Sequence, residues 1–154
     1  MKKHFWRTVL FAGLLVGSLD IIAALAHFYI KTKKDPVIVL KYIASAVFGN
    51  AAYTEVNMAV YGLVFHFLVA FVWTLFFLLI YPKLKLISFN RVLTGIVYGI
   101  FIWLVMTRLV VPMSRAATGA FDLKQAIIGA TILILAIGIP LSFIAKKFYA
   151  RRQW

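Results

Sequence analysis

Four ionisable residues lie inside apolar segments of the sequence: Asp20, His27, His66 and Arg108. Each of these segments is long enough to cross a membrane, where a charged or titratable side chain is costly. Such residues therefore tend to mark ion or proton pathways, or to bind one another. We take these four residues as the candidate functional site.

The four residues fall toward the same side of the predicted bundle, opposite the chain termini. At ~1.5 Å of rise per residue, Asp20 lies about 15 Å from the outer end of its helix, near the midplane, and His66 lies about 10 Å in. His27 and Arg108 lie about 5 Å from that end. The candidates for the mouth of this cluster are Glu55, Asn57, Tyr61 and Thr107.

Two interpretations of the cluster stay open. In the structural one, Arg108 pairs with Asp20 or Glu55, and the histidines bond to hydroxyls or backbone carbonyls, as polar groups do in membrane bundles. In the functional one, Asp20 exchanges protons or small cations with the outer surface. The two histidines would then form a relay, because imidazole titrates near physiological pH.

Cofactor and enzyme chemistry are poorly supported. Haem ligation by His27 and His66 is disfavoured, because their depths differ by roughly one helical turn. The sequence has no cysteine, no paired carboxylates, and no metalloprotease, nucleophile-elbow or phosphate-loop motif. We expect no enzyme, no metal site and no cofactor, the one exception being an intramembrane enzyme without a recognisable motif.

The composition predicts an all-α membrane protein. Hydrophobic residues make up 64% of the chain, against roughly 45–50% in soluble domains, and the mean hydropathy is +0.98. Four apolar stretches, at about 8–30, 59–81, 92–111 and 125–145, reach the roughly 20 residues that one membrane crossing needs. We expect residues 1–154 to form a single domain of four transmembrane helices.

The first loop should contain a further short helix at about 36–48. Asp35 and Pro36 are a typical helix start, and Gly49 and Asn50 are a typical stop. At ~1.5 Å per residue this helix reaches only about 18 Å, too short to span. We expect an interfacial or re-entrant helix on the outer side, which acts either as a plug over the helix ends or as a lid.

The net charge of +13 indicates a membrane surface with anionic head groups rather than nucleic acid, because the cations lie beside the span ends. Ten lie on the side of the termini and six on the other side, outside the apolar spans. This bias predicts that both termini lie in the cytoplasm. The ten are Lys2, Lys3, Arg7, Lys83, Lys85, Arg91, Lys146, Lys147, Arg151 and Arg152.

Small residues mark the expected helix contacts. Gly13 and Gly17 share one helical stripe with Asp20 and His27, and Gly95 and Gly99 repeat the spacing in the third span. Small residues let helix backbones approach closely in lipid. We expect packing within the chain, with a homodimer or a larger membrane complex as the alternative.

The second half of the chain, roughly 66–125, resembles the YagU-like family of small bacterial inner-membrane proteins. The resemblance rests on His66-Phe67, on the turn sequence YPKLKL that begins at Tyr81, on VPM ending at Met113, and on FDL beginning at Phe121. It implies a multi-pass inner-membrane protein linked to acid tolerance, without established catalytic residues.

The combined prediction is an integral inner-membrane protein of undefined activity. Either it handles protons or small cations through the polar cluster, or it is a non-catalytic accessory or scaffold subunit of a larger membrane complex.

Overall fold

A computed structural model of the chain describes residues 2–84 and 90–150, where all of the regular structure is helical. Four of its helices are long and apolar enough to cross a membrane, as the composition predicts. The helices are α1 (Lys2–Thr32), α2 (Val37–Phe48), α3 (Ala51–Thr54), α4 (Met58–Ile80), α5 (Arg91–Met113) and α6 (Leu123–Ala150). A short 3₁₀ turn, Tyr81–Lys83, follows α4.

The first and the last long helix extend beyond the predicted apolar spans by one to two turns. The first begins at Lys2 rather than near residue 8, and the last runs to Ala150 rather than to 145. The added turns carry cations and aromatic side chains, which suit the edges of a bilayer. Hydropathy therefore located each span, and the first and last helices continue past it by less than two turns.

The short helix in the first loop is present and ends where predicted. The Asp35 carboxylate accepts a hydrogen bond of 2.9 Å from the Val37 amide, which satisfies a free N–H of the first turn. Gly49 follows the last turn with a φ of 60°, a conformation that other residues rarely adopt. The single turn α3 was not predicted.

Helices α5 and α6 each contain one widened π-helical turn, and each turn ends two residues before a proline. The turns are Met106–Val110, before Pro112, and Ile134–Gly138, before Pro140. Proline donates no backbone hydrogen bond and its ring presses on the carbonyl four residues earlier. A π turn accommodates that conflict without ending the helix.

Glycines allow the closest helix contacts. A side chain at Gly17 would lie 2.9 Å from the Phe67 ring of α4. A side chain at Gly99 would lie 2.6 Å from the Cα of Ile134, in the π turn of α6. Gly13 lies against Phe71, and Gly95 lies against Ile139. All four glycines of the predicted packing set thus lie at contacts within the chain.

Aromatic side chains fill the end of the bundle that carries the chain's amino terminus. The ring centroids of Phe77 and Tyr98 are 4.3 Å apart, and the Tyr98 hydroxyl donates a 2.6 Å hydrogen bond to the Trp73 carbonyl. Tyr81 stacks on Tyr149 at 5.7 Å. These contacts join α4 and the turn after it to α5 and α6, so aromatic packing holds the helices together at this end.

The outer surface of the bundle is apolar. Only 17–33% of the residues in the most hydrophobic stretch of each long helix are buried within the described part of the molecule. An exposed apolar surface of this size would be unfavourable in contact with water. The surface is compatible with an integral membrane protein whose remaining faces contact lipid.

Replacing Asn90 by Ala is expected to lower the free energy of unfolding by about 1 kcal/mol. The Asn90 side chain accepts hydrogen bonds from the amides of Val92 (3.0 Å) and Leu93 (3.3 Å) at the start of α5. Unfolding of the purified protein by dodecyl sulfate in mixed micelles, followed by circular dichroism, measures the loss. Asn90→Asp, which keeps the acceptor oxygen, should retain most of the stability.

Candidate functional site

His66 and Asp20 lie together where α1 meets α4. The His66 Nε2 lies 2.8 Å from the Gly17 carbonyl oxygen. A carbonyl can only accept a hydrogen bond, so Nε2 carries the proton and donates. The approach of α4 depends on Gly17, which has no side chain between the helices. His66 thus bonds to a backbone carbonyl, as the structural interpretation expects.

Asp20 lies one helical turn beyond Gly17 on α1. Its carboxylate is half-buried and interacts electrostatically with the imidazole of His66. Within residues 2–84 and 90–150 it makes no ion pair and no hydrogen bond. Carboxylates buried in membrane bundles are usually paired. His66 is therefore the titratable side chain that interacts with the Asp20 carboxylate within the described residues.

His27 lies nearer the outer end of α1 and contacts α6. Its Nε2 lies 3.2 Å from Oε1 of Gln125, in the first turn of α6. Gln125 is a contact that the sequence did not predict, because the two residues are 98 positions apart. His27 and Asp20 are seven residues apart on one helix, so about 10 Å of rise separates them.

Arg108 does not join Asp20 or Glu55, so the expected ion pair is absent from the described part of the chain. The guanidinium lies 5.3 Å from the centre of the Phe121 ring, and the residue is exposed. Arg108 belongs to the π turn of α5, which changes the direction of its side chain relative to a regular helix. Depth alone could not predict that direction.

Arg108 lines an open cleft of about 660 Å³ at the outer end of the bundle. Its walls come from α2, the end of α5, the loop before α6 and the first turn of α6. The polar side chains of the cleft include those of Tyr42, Thr107, Arg108, Asp122 and Gln125. Because Gln125 also bonds to His27, the cleft adjoins the outer histidine of the predicted cluster.

Only one of the four predicted mouth residues lines this cleft. Thr107 does, although its hydroxyl donates to the Trp103 carbonyl at 2.7 Å. Glu55, Asn57 and Tyr61 are exposed at the start of α4 and are not part of the wall. The predicted cluster therefore separates into an inner pair, Asp20 with His66, and an outer cleft.

Tyr42 of α2 connects the short helix to the loop that closes the cleft. Its hydroxyl donates a 3.2 Å hydrogen bond to the Ala117 carbonyl. Burial, and secondarily the neighbouring Tyr53, raises the pKa of the Tyr42 phenol above its usual value. The phenol therefore stays protonated, and able to donate, across the physiological range.

The described residues contain no group of three or more His, Asp or Glu side chains that could hold a metal ion. Comparisons of the chain with protein-family models, curated proteins and solved structures found no match. The resemblance to the YagU-like family therefore stays a prediction. The fold defines the class: in the described residues it is an all-helical protein with four helices long and apolar enough to cross a membrane.

Proposed function

We propose that the protein is an integral membrane protein in which Asp20 and His66 bind and release protons. The observation that carries this proposal is the half-buried carboxylate of Asp20, which interacts electrostatically with His66 and makes no ion pair in the described residues. A permanent cation such as arginine would fix that carboxylate in its charged form. A histidine partner does not, because imidazole itself gains and loses a proton.

In this proposal Nδ1 of His66 exchanges the proton with Asp20, because Nε2 already donates to the Gly17 carbonyl. The bond to Gly17 also holds the ring in one orientation between the helices. An imidazole held in this way beside a carboxylate can exchange a proton with it without a large movement of either helix.

Protons suit this site better than metal cations. A hard cation such as Na⁺ or Ca²⁺ requires several oxygen ligands around it. No candidate metal cluster occurs among the described residues. A proton needs only one acceptor, and the Asp20–His66 pair offers two.

We infer that protons reach this pair from the outer cleft. Gln125 lines the cleft and bonds to His27 on the same helix as Asp20. About 10 Å of rise separates His27 from Asp20, too far for one direct transfer. The proposal therefore requires water molecules between them during proton passage.

We further propose that the membrane is a bacterial inner membrane, with the termini and the loop after α4 in the cytoplasm. The excess of cations on that side supports this orientation. All four acidic residues lie elsewhere: Asp20 in α1, and Asp35, Glu55 and Asp122 in the loops on the side opposite the termini. The side of the termini is thus purely cationic.

In this orientation α2 lies in the outer interface. It contacts α4 from Leu40, whose backbone lies against Gly62, to Phe48, whose ring lies near Tyr61 and Phe65. Along α2 these contacts span about 12 Å, but along α4 they shift by less than about 5 Å. A helix that crosses a span so steeply suits the plane of the interface.

Proteoliposomes that enclose a pH-sensitive dye test the function. An acid step outside the vesicles should acidify the lumen at least about tenfold faster with the protein than in protein-free vesicles, because in this proposal the Asp20–His66 pair carries protons across the apolar centre of the bilayer. Collapse of the gradient by a protonophore at the end of each trace gives the full signal. Rates equal to those of empty vesicles, with the protein folded, would refute the proposal and favour the accessory-subunit alternative.

A further inference from the structure

The outer cleft combines one free cation with aromatic walls. Arg108 is exposed and makes no ion pair within the described part of the chain. Its guanidinium lies over the Phe121 ring, 5.3 Å from the ring centre. Contact with the ring occupies one face of the guanidinium and leaves its N–H groups along the edge for a ligand. A planar edge of this kind binds phosphate or carboxylate through two parallel hydrogen bonds.

Further donors lie in the cleft wall. The amides of Thr118, Gly119, Ala120 and Phe121 donate no hydrogen bond within residues 2–84 and 90–150. The side-chain amide nitrogen of Gln125 donates no hydrogen bond in the described part of the chain, while its oxygen bonds to His27. By contrast, the hydroxyls of Tyr42 and Thr107 already donate to backbone carbonyls. Free donors therefore come from one arginine, one amide side chain and the loop.

One acidic residue, Asp122, also lines the cleft. One of its carboxylate oxygens accepts a 2.9 Å hydrogen bond from the Lys124 amide and starts α6. The outer end as a whole carries seven Lys and Arg against three Asp and Glu, a net charge of +4. The cations are Lys31, Lys33, Lys34, Lys41, Arg108, Arg115 and Lys124, and the acids are Asp35, Glu55 and Asp122. An anion is therefore favoured here despite Asp122.

The depth of Arg108 in the membrane indicates which kind of anion can reach its side chain. Five residues, or about 7.5 Å of rise, separate Arg108 from the end of α5 at Met113. Long basic side chains at such positions extend toward the head groups of lipids. Leu104 and Leu109, on the same stretch of α5, are exposed apolar residues beside which an acyl chain can lie.

We propose that the cleft binds a phosphate-bearing headgroup, supplied by a phospholipid of the surrounding leaflet. Arg108 contacts the phosphate through two N–H groups, while Gln125 and the loop amides contact the remaining oxygens. Trp103 and Phe121 form the apolar walls beside it. The headgroup would occupy the cleft through which we propose that protons enter, but it contacts neither Asp20 nor His66, so its binding does not require proton exchange at that pair.

Native mass spectrometry of the detergent-purified protein tests the site. The probes are dioleoyl phosphatidylglycerol, dioleoylglycerol, which has the same chains without phosphate, and inorganic phosphate as competitor. Phosphatidylglycerol should bind Arg108→Gln at least about tenfold more weakly than wild type, because a charge-assisted contact is lost. Arg115→Gln is the matched control. Arg115 is an exposed cation in the loop between α5 and α6, and it does not line the cleft. The affinity of this variant should equal that of wild type.

The competitor separates the two sources of phosphate. Displacement of phosphatidylglycerol by inorganic phosphate, in wild type but not in Arg108→Gln, supports the site and adds free phosphate as a ligand. Phosphatidylglycerol that resists displacement while dioleoylglycerol fails to bind supports the lipid alone. Equal affinity of wild type and Arg108→Gln for phosphatidylglycerol, or equal binding of both lipids, overturns the proposal.

Gly119→Leu keeps the test decisive if Arg108→Gln does not fold. Gly119 lines the cleft, and a side chain there would meet no atom within 4 Å. Leucine should therefore fold normally and occupy the space of the headgroup, which weakens phosphatidylglycerol binding by about tenfold or more. Undiminished binding to Gly119→Leu, measured by the same method, would also overturn the proposal.

Discussion

Replacing Asp20 by Asn is expected to abolish dye-detected proton flux, to the rate of protein-free vesicles. Asparagine has nearly the same shape but cannot take up a proton at any relevant pH. The inner pair then keeps only the imidazole of His66, which bonds to the Gly17 carbonyl. Because Asp20 makes no hydrogen bond or ion pair in the described residues, the fold should lose less than about 1 kcal/mol. Asp20→Asn should therefore abolish the proton flux while it leaves the free energy of unfolding nearly unchanged.

Asp35→Asn is the matched control for this experiment. It removes one carboxylate from a residue outside the long helices, where Asp35 accepts a hydrogen bond from the Val37 amide. Asparagine also accepts at this position, so folding and flux should both remain near wild type. Persistent flux in Asp20→Asn, or equal loss in both variants, would remove Asp20 from the mechanism.

Replacing Gly138 by Ala is expected to cost about 3 kcal/mol of unfolding free energy, the upper range for overpacking a tight contact. Gly138 is buried in the π turn of α6. An added methyl group would overlap the Gly95 carbonyl oxygen and lie 3.1 Å from the Gly99 amide nitrogen. These atoms belong to the backbone of α5, which cannot rotate aside as a side chain can. The two helices must therefore separate.

Gly129→Ala is the control on the same helix. There the nearest atom to an added methyl group is Nε1 of Trp103, at 3.3 Å, which belongs to a side chain that can adjust. Alanine also favours helix by up to about 1 kcal/mol, so this variant should stay within about 1 kcal/mol of wild type. Unfolding in dodecyl sulfate mixed micelles measures both, and equal stabilities would contradict the close α5–α6 contact.

The architecture and part of the site could be predicted from local patterns. Apolar length located four spans, and the sequence from Asp35 to Gly49 located the short helix, because both signals depend on neighbouring residues alone. The stripe of Gly13 and Gly17 indicated a close helix contact, which α4 makes. Depth arithmetic placed Asp20 and His66 in the same half of the bundle, where the structure brings them together.

The remainder depended on contacts that no local pattern encodes. Gln125 and His27 are in contact although 98 positions separate them in the sequence, and no local sequence pattern predicts such a contact. Depth arithmetic gives distance along a helix but not direction around its axis. The π turn before Pro112 changes that direction for Arg108. The pairing of Arg108 with Asp20 or Glu55, which the structural interpretation included, does not occur among the described residues.

Infrared difference spectroscopy on the protein in lipid vesicles tests the central claim most directly, because it observes protonation of one carboxyl group. Spectra recorded across a pH titration should contain a carboxylic C=O band that disappears in Asp20→Asn. Its titration midpoint should change in His66→Phe, because the two groups interact electrostatically. A pH-dependent difference spectrum identical in wild type and Asp20→Asn would contradict proton exchange at Asp20.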